Sequence, residues 1–318
     1  MHAIVLPDGY SARPAWREDL EAVFRLVADS ELHDDGVADI ALGDIAADWD
    51  RPDFDAETMS ITVWHGDDLV ASGDVFMGRA EVDVAPEHRG RGLGAALLPW
   101  TWQVAKADGR GSVGQTVSDR RTDAAELFRA HGYDVGHTSW ALRIDLDDEP
   151  PSAPALPDGL AFRDLRPGED DRAVFEVIDV AFDEWSDRET QGFENWSAST
   201  LRRPEVDPGL VPLVVDGQRI VGVALNLHYG LNDDVEGWTQ QLAVDKAYRG
   251  RGLGRALLQE TFRRFHAVGY RRCGLSTDSR TGALGLYEHV GMRVRSSFTR
   301  WTKQLDASSP STTGAVVP

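Results

Sequence analysis

The chain has 318 residues, 42% of them hydrophobic, with a formal net charge of −20 and a single cysteine. It is about twice the length of an ordinary domain, enough to bury two cores, and no run approaches the ~20 consecutive apolar residues of a membrane-spanning helix. So acidic a chain repels polyanions, which argues against a nucleic acid or an anionic membrane as partner and suits a cationic or amine substrate.

Cys273 alone excludes an internal disulfide framework, and no Cys and His cluster has metal-ligand spacing. The opening residues lack the basic flank and apolar core of a secretory signal, so the expectation is a cytoplasmic monomer or homodimer without a metal. Self-comparison shows a duplication. Leu6-Pro7-Asp8-Gly9 recurs as Leu156-Pro157-Asp158-Gly159, and Arg89-Gly90-Arg91-Gly92-Leu93-Gly94 recurs as Arg249-Gly250-Arg251-Gly252-Leu253-Gly254. The offset grows from 150 to 160, which places about ten extra residues in the second copy, near Asn226 to Gly237. The expected organisation is an N-terminal domain over 1–146, a proline-rich, charged linker over 147–158, a C-terminal domain over 159–306 and a disordered tail over 307–318.

Each copy opens with a helical stretch, Asp19 to Ala28 or Asp170 to Phe182. Apolar strand-like runs follow around a glycine turn: Ile61 to Trp64 and Leu69 to Ser72 about Gly66, Leu213 to Val215 and Ile220 to Leu225 about Gly217. A strand ending at Val82-Asp83-Val84, or at Leu242-Ala243-Val244, then feeds the arginine-glycine loop and a helix closed by Gly109 or Gly269. Pro99 inside the first of these helices predicts a kink or an early end. Another strand (Val113 to Ser118; Gly274 to Thr277), a short helix closed by Gly132 or Gly291 and late strands complete each copy. Alternation of this kind predicts an α/β fold with helices packed on a largely shared sheet.

A glycine-rich turn between strand and helix lets backbone amides approach an anion and aims the positive end of the helix dipole at it. Gly90, Gly92 and Gly94 open one such helix, and Gly250, Gly252 and Gly254 another, with Arg89, Arg91, Arg249, Arg251 and Arg255 alongside. In so acidic a chain this reads as a pyrophosphate site. The spacing is R-x-x-G-x-G, not the G-x-G-x-x-G of a dinucleotide fold.

The paired motifs resemble those of the GCN5-related N-acetyltransferase (GNAT) superfamily. Its loop Gln/Arg-x-x-Gly-x-Gly/Ala is matched by Arg89, Gly92 and Gly94 and by Arg249, Gly252 and Gly254. Its late-helix pattern is matched by Ala283, Leu286, Tyr287 and Gly291-Met292, and by Ala124, Leu127, Phe128 and Gly132-Tyr133. The layout is similar to that of two-domain members of the superfamily. The resemblance implies tandem GNAT domains and acetyl-CoA as co-substrate. It places the pyrophosphate on the loop amides, including Leu253, and the pantetheine arm in a splay between two strands, beside Val82 and Val84 or Leu242, Ala243 and Val244. It makes Tyr287 the general acid for the departing thiolate, and puts a backbone amide near Ala243 or Val244 on the thioester oxygen. Phe128 lacks the hydroxyl, so the second copy is expected to be catalytic and the first not. Arg280 and Arg121 stand where many relatives have asparagine, which removes one usual pantetheine contact.

The expected general base is Glu236, with His228 and Glu184 as rivals. Glu184, Trp185, Glu194 and Trp196 are expected to form the acceptor pocket, where carboxylates beside indoles hold a cation. The reaction expected is acetyl transfer to a primary amine of a small molecule or peptide by direct transfer in a ternary complex. The alternative is a non-catalytic acyl-CoA-binding sensor or interaction protein.

Overall fold

A computed structural model describes residue 2 and residues 4–184, 190–231 and 234–305; the tail expected at 307–318 and Trp185 lie outside the described residues. The first half runs β1 (Ser11–Arg13), α1 (Leu20–Asp35), α2 (Leu42–Trp49), α3 (Ala56–Met59), β2 (Ser60–His65), β3 (Asp68–Phe76), β4 (Arg79–Val84), α4 (Leu93–Ala107), β5 (Ser112–Ser118), α5 (Thr122–Ala130) and β6 (Asp134–Asp145). The second runs β7 (Leu160–Asp164), α6 (Asp171–Phe182), α7 (Phe193–Ala198), β8 (Pro212–Asp216), β9 (Arg219–Leu231), β10 (Asp234–Val244), α8 (Leu253–Ala267), β11 (Arg272–Asp278), α9 (Leu284–His289) and β12 (Arg293–Gln304). The residues added in the second copy lengthen the β9–β10 hairpin, whose pairing continues from Val244↔Gly222 out to Asp234↔Leu231. Residues 147–158 carry no helix or strand. Among the described residues no helix is long and apolar enough to cross a membrane.

All the strands join one mixed α/β sheet in the order β1-β2-β3-β4-β5-β12-β6-β11-β10-β9-β8-β7. The last strand of each half is exchanged. Both neighbours of β12 belong to the first half, and both neighbours of β6 belong to the second. Each exchanged strand brings core residues with it. Trp301 and Leu305 are buried in the first half's core beside Val104, Val113 and Phe128, while Leu142 and Leu146 are buried in the second's beside Phe262, Leu275 and Tyr287. The two cores are therefore each completed by the other half of the chain, something the repeat pattern does not reveal because both copies carry the same closing strand.

Two pairings are parallel, β4–β5 and β10–β11, and both are short. β10 meets β11 only from Gly237↔Cys273 to Thr239↔Leu275, after which the strands diverge. A register shift against β9 between Thr239 and Gln241 bends β10 at that point. Pro99 does not shorten α4, which matches α8 in length at 15 residues. The proline removes one helical N–H, but Leu97, Leu98, Trp100, Thr101 and Val104 around it are all buried, and the Thr101 hydroxyl donates to the Leu98 carbonyl at 2.8 Å. Packing on the sheet holds the helix through the missing bond.

Candidate active site

The divergence of β10 from β11 opens a cavity of about 530 Å³. Its walls are the end of α6, β10 from Thr239 to Val244, the glycine loop, β11 from Leu275 to Asp278, and α9. Leu242, Ala243 and Val244 line it as expected, with Arg249, Gly250, Gly252, Leu253, Gly254, Arg255 and Tyr287.

The loop is open toward this cavity. Gly250 and Gly252 have φ of +73° and +80°, and a Cβ built on either would meet no atom within 4 Å. Gly252 caps α8 without any side-chain hydrogen bond, so first-turn N–H groups keep their donors for an anion. The motif arginine has another task. Arg249 donates to the Val244 carbonyl at 3.1 Å and to Glu184 at 2.6 Å, and so braces the loop against the strand end and α6. Arg89 does the same, donating to Val84 O at 2.9 Å and to Asp34 at 2.5 Å. Arg251 lies over the Tyr248 ring, outside the cavity wall. The residues left to meet an acyl-CoA pyrophosphate are the amides and Arg255, and they fit it.

Tyr287 is 8% exposed and faces the cavity. Burial pushes its phenol up to about 12, a hydrogen bond with Thr277 opposing the shift. It is held by α9 in the core with Leu275 and Met292, and hydrogen-bonds Thr277, which also lines the cavity.

The equivalent slot of the first half is crossed by ion pairs. Asp34 at the end of α1 takes both Arg89 and Arg121, and the Ser118 hydroxyl donates to Asp35 at 2.6 Å. Pro7 lies 3.4 Å from a Cβ built on Gly92. Phe128, 3% exposed, stacks on Trp301 with centroids 5.8 Å apart. Val82 and Val84 pack against the same core, and Gly90, Gly94 and Arg91 complete a loop like the second, in which Gly90 is as open as Gly250 and Gly92, unlike Gly252, has a neighbour, Pro7.

Glu236 does not reach the cavity. It sits on the paired part of β10, before the splay begins, and Arg143 of β6 holds it with contacts of 2.8 and 2.9 Å while also reaching Asp39 at 2.5 Å. It knits β10, the exchanged β6 and the α1–α2 loop together. His228 packs near the Tyr270 ring and is not in the cavity wall. Glu184 lies at the donor mouth, where Arg249 and Lys246 hold its carboxyl down at about 2, too acidic for a base. Glu194 pairs with Arg202 on the surface at 2.8 Å. Trp196 is buried at 1% and is a core residue whose Nε1 donates to Gln241 Oε1 at 3.0 Å. Cys273 is buried, and burial raises its thiol far out of the reactive range.

Gln240 and Gln241, at the bulge, were not anticipated. Two adjacent amides in a strand otherwise reading Leu-Ala-Val break its apolar run, and that break was the signal available. Trp196 fixes one, and the Ser199 carbonyl accepts from Gln240 Nε2 at 3.2 Å, leaving Gln240 Oε1 buried without a partner.

Residues 172–292 match the model of the acetyltransferase (GNAT) family. The chain is 30% identical over 320 residues to a mycothiol acetyltransferase of Sanguibacter keddieii, covering 94% of this chain and 95% of that one. It is 31% identical over 231 residues to the mycothiol acetyltransferase of Thermobispora bispora, covering 70% and 72%. Among solved structures it resembles a GCN5-related N-acetyltransferase from Sphaerobacter thermophilus, with a TM-score of 0.76, 31% identity and coverage of 95% and 97%. It also shares its fold with a tandem GNAT protein from the clavulanic acid biosynthesis pathway, at a TM-score of 0.69, 17% identity and coverage of 94% and 100%.

Proposed function

We propose that this chain, which belongs to the GNAT family of acetyltransferases, moves the acetyl group of acetyl-CoA to a primary amine of a small molecule or peptide by direct transfer in a ternary complex. In this reading the second half is the catalytic one. The observation that carries it is one cavity lined both by the open glycine loop, from Gly250 to Arg255, and by Tyr287.

When bound, the acyl-CoA supplies a thioester whose carbon is attacked by the neutral amine and whose thiolate leaves. The loop amides hold the pyrophosphate at the positive end of α8. Past Thr239, β10 has no ladder partner on its β11 side, so backbone groups there are free to orient a pantetheine arm and to donate to the carbonyl oxygen. Tyr287 Oη gives its proton to the departing thiolate, the attacking amine loses a proton to solvent through the acceptor side, and Tyr287 takes one back from solvent once CoA leaves. Burial keeps Tyr287 protonated at every pH of interest, and the same desolvation raises a thiol beside it, which brings donor and acceptor closer in pKa. Glu236 takes no part in this scheme; its role is to hold β6 against β10.

The first half would not turn over a second donor: Phe128 has no hydroxyl to offer a thiolate, and Asp34, held by both Arg89 and Arg121, stands at its slot mouth. Incubation of acetyl-CoA with a panel of primary amines, read as appearance of free thiol, tests the reading. Acceptor-dependent release supports it; acetyl-CoA binding with no release for any amine would favour the sensor alternative.

A further inference from the structure

The donor cavity has a neighbour. A cavity of about 380 Å³ shares Gln240 and Gln241 with it at the β10 bulge. A wider one of about 740 Å³ overlaps that cavity and meets the donor site again at Ser276. The far wall of this cleft belongs to the first half.

Five carboxylates of the first half line the smaller cavity, Asp44, Asp48, Asp74, Glu81 and Asp83, against three guanidiniums, Arg51, Arg79 and Arg203. The guanidiniums are taken: Arg203 pairs with Asp44 at 2.6 Å, Arg51 with Asp48 at 2.5 Å and Arg79 with Glu81. Asp74 and Asp83 are left without a hydrogen bond or ion pair among the described residues. They are not scattered. Asp74 stands directly opposite Glu81 in the β3–β4 ladder, and Asp83 is two residues along the same face. Like charges placed opposite each other on one face of a sheet cost stability; Asp74 and Asp83 are half-buried, while Glu81 is exposed beside Arg79. Burial, with Glu81 and Asp48 adding to it and Arg79 and Arg51 opposing it, holds the Asp74 carboxyl well above the usual range, and burial with Glu81, against Arg121 and Arg89, takes Asp83 to about 7. A cation in the cleft would relieve all three.

The duplication sharpens the point. At the 160-residue offset of the glycine loop, Glu81 and Asp83 correspond to Gln241 and Ala243, which line the donor cavity. Where the second half presents neutral groups to an anionic donor, the first presents carboxylates.

We propose that the first half is the acceptor-binding half, and that the acceptor carries a second cationic group besides the amine that is acetylated. Asp74, with the Glu81–Asp83 face, holds that second cation. The reactive amine then lies at the bulge, where Gln240 and Gln241 line both cavities. The substrate class is a diamine or polyamine, or a small molecule with two separated amino groups. This rests on acyl transfer in the second half, and the test separates the two.

Titration calorimetry of the full chain, saturated with CoA, compares 1,4-diaminobutane and spermidine with butylamine. The dications are expected to bind at least about tenfold more tightly, a margin of about 1.4 kcal/mol, and to lose it in Asp74→Asn while CoA affinity stays unchanged. Asp74→Asn is isosteric and removes a like-charge contact, so it should fold; Asp83→Asn provides a second variant. Equal binding of butylamine and the dications by the wild type, or a preference that survives both substitutions, would overturn the proposal. Tight dication binding lost in Asp74→Asn but without thiol release would leave the site standing and defeat acyl transfer. Thiol release equally fast with butylamine would do the reverse.

Discussion

Tyr287→Phe removes one oxygen from a ring that is 8% exposed and packed in the second half's core, so it separates chemistry from folding. The structural cost is one hydrogen bond to Thr277, about 1 kcal/mol. The chemical cost is larger. A phenol near 12 facing a thiol of ordinary pKa about 8.5 would transfer its proton uphill by roughly 3.5 units, about 5 kcal/mol, so the transfer must accompany C–S cleavage or meet a thiol raised by the same slot. Such an acid contributes about 10²–10⁴-fold in general, and the uphill transfer places the expected loss in kcat at the lower end, roughly ten- to a thousand-fold. Single-turnover measurement at saturating acetyl-CoA reads the chemical step, with calorimetry showing CoA affinity unmoved. Since Tyr287 stays protonated, the wild type should show no falling limb below pH 10 from its ionisation. A mutant with full single-turnover rate would refute the acid assignment, and one with weakened CoA binding and unchanged kcat would assign Tyr287 to binding instead.

The two loops give the next comparison: Gly252→Asp puts a carboxylate at an open site and strains a φ of +80°, so CoA binding measured by calorimetry should weaken by more than about a hundredfold, while Gly92→Asp leaves it nearly intact. The reverse order would move the donor site to the first half. Glu236→Gln breaks a buried pair and leaves Arg143 with Asp39 alone, so denaturation should show a loss of about 3 kcal/mol with the chemical step spared; unchanged stability with lost activity would restore Glu236 as a base. Glu31 is pushed up to about 7 by burial, opposed by the amides of Ile40 and Asp39, and Asp83 also to about 7. Between pH 4 and 7 the folded state therefore binds more protons at these sites than the unfolded chain, and their effect is to lower stability as pH rises through that window. Glu31→Gln should raise Tm relative to wild type at pH 8 and not at pH 5; a gain of equal size at both would show the shift is absent. Cleavage between 150 and 154 should leave both fragments together in gel filtration, because β6 and β12 each lie wholly among strands of the other half.

The repeated loop, the repeated late helix and the contrast of Tyr287 with Phe128 were legible in the residues, because each depends on local backbone and on side-chain type. Glycine must stand where φ is positive and an anion approaches, and a phenol differs from a phenyl wherever it is placed. The first helix of each copy and the hairpin strands before the loop followed from periodicity, whereas β1, β7 and the short helices α2, α3 and α7 carry too few residues to show a period. Tertiary structure decided the rest. Pro99 signals a helix end, yet buried Leu97, Trp100 and Val104 hold α4 through it, since packing on the sheet outweighs one lost hydrogen bond. Arg249 carries a charge suited to phosphate, but its geometry spends it on Val244 and Glu184. Glu236 stands a few residues from the bulge in sequence, yet on the closed side of the splay, where Arg143 arrives from 93 residues away. The exchange of β6 and β12 could not be read at all, because duplicated strands present equivalent edges and only the packing of Trp301 and Leu142 selects which half each completes. The unpaired carboxylates of Asp74 and Asp83 belong to the same class: in sequence they are two more acids in an acidic chain, and they become a site only because β3, β4 and α2 enclose them beside the other half's bulge.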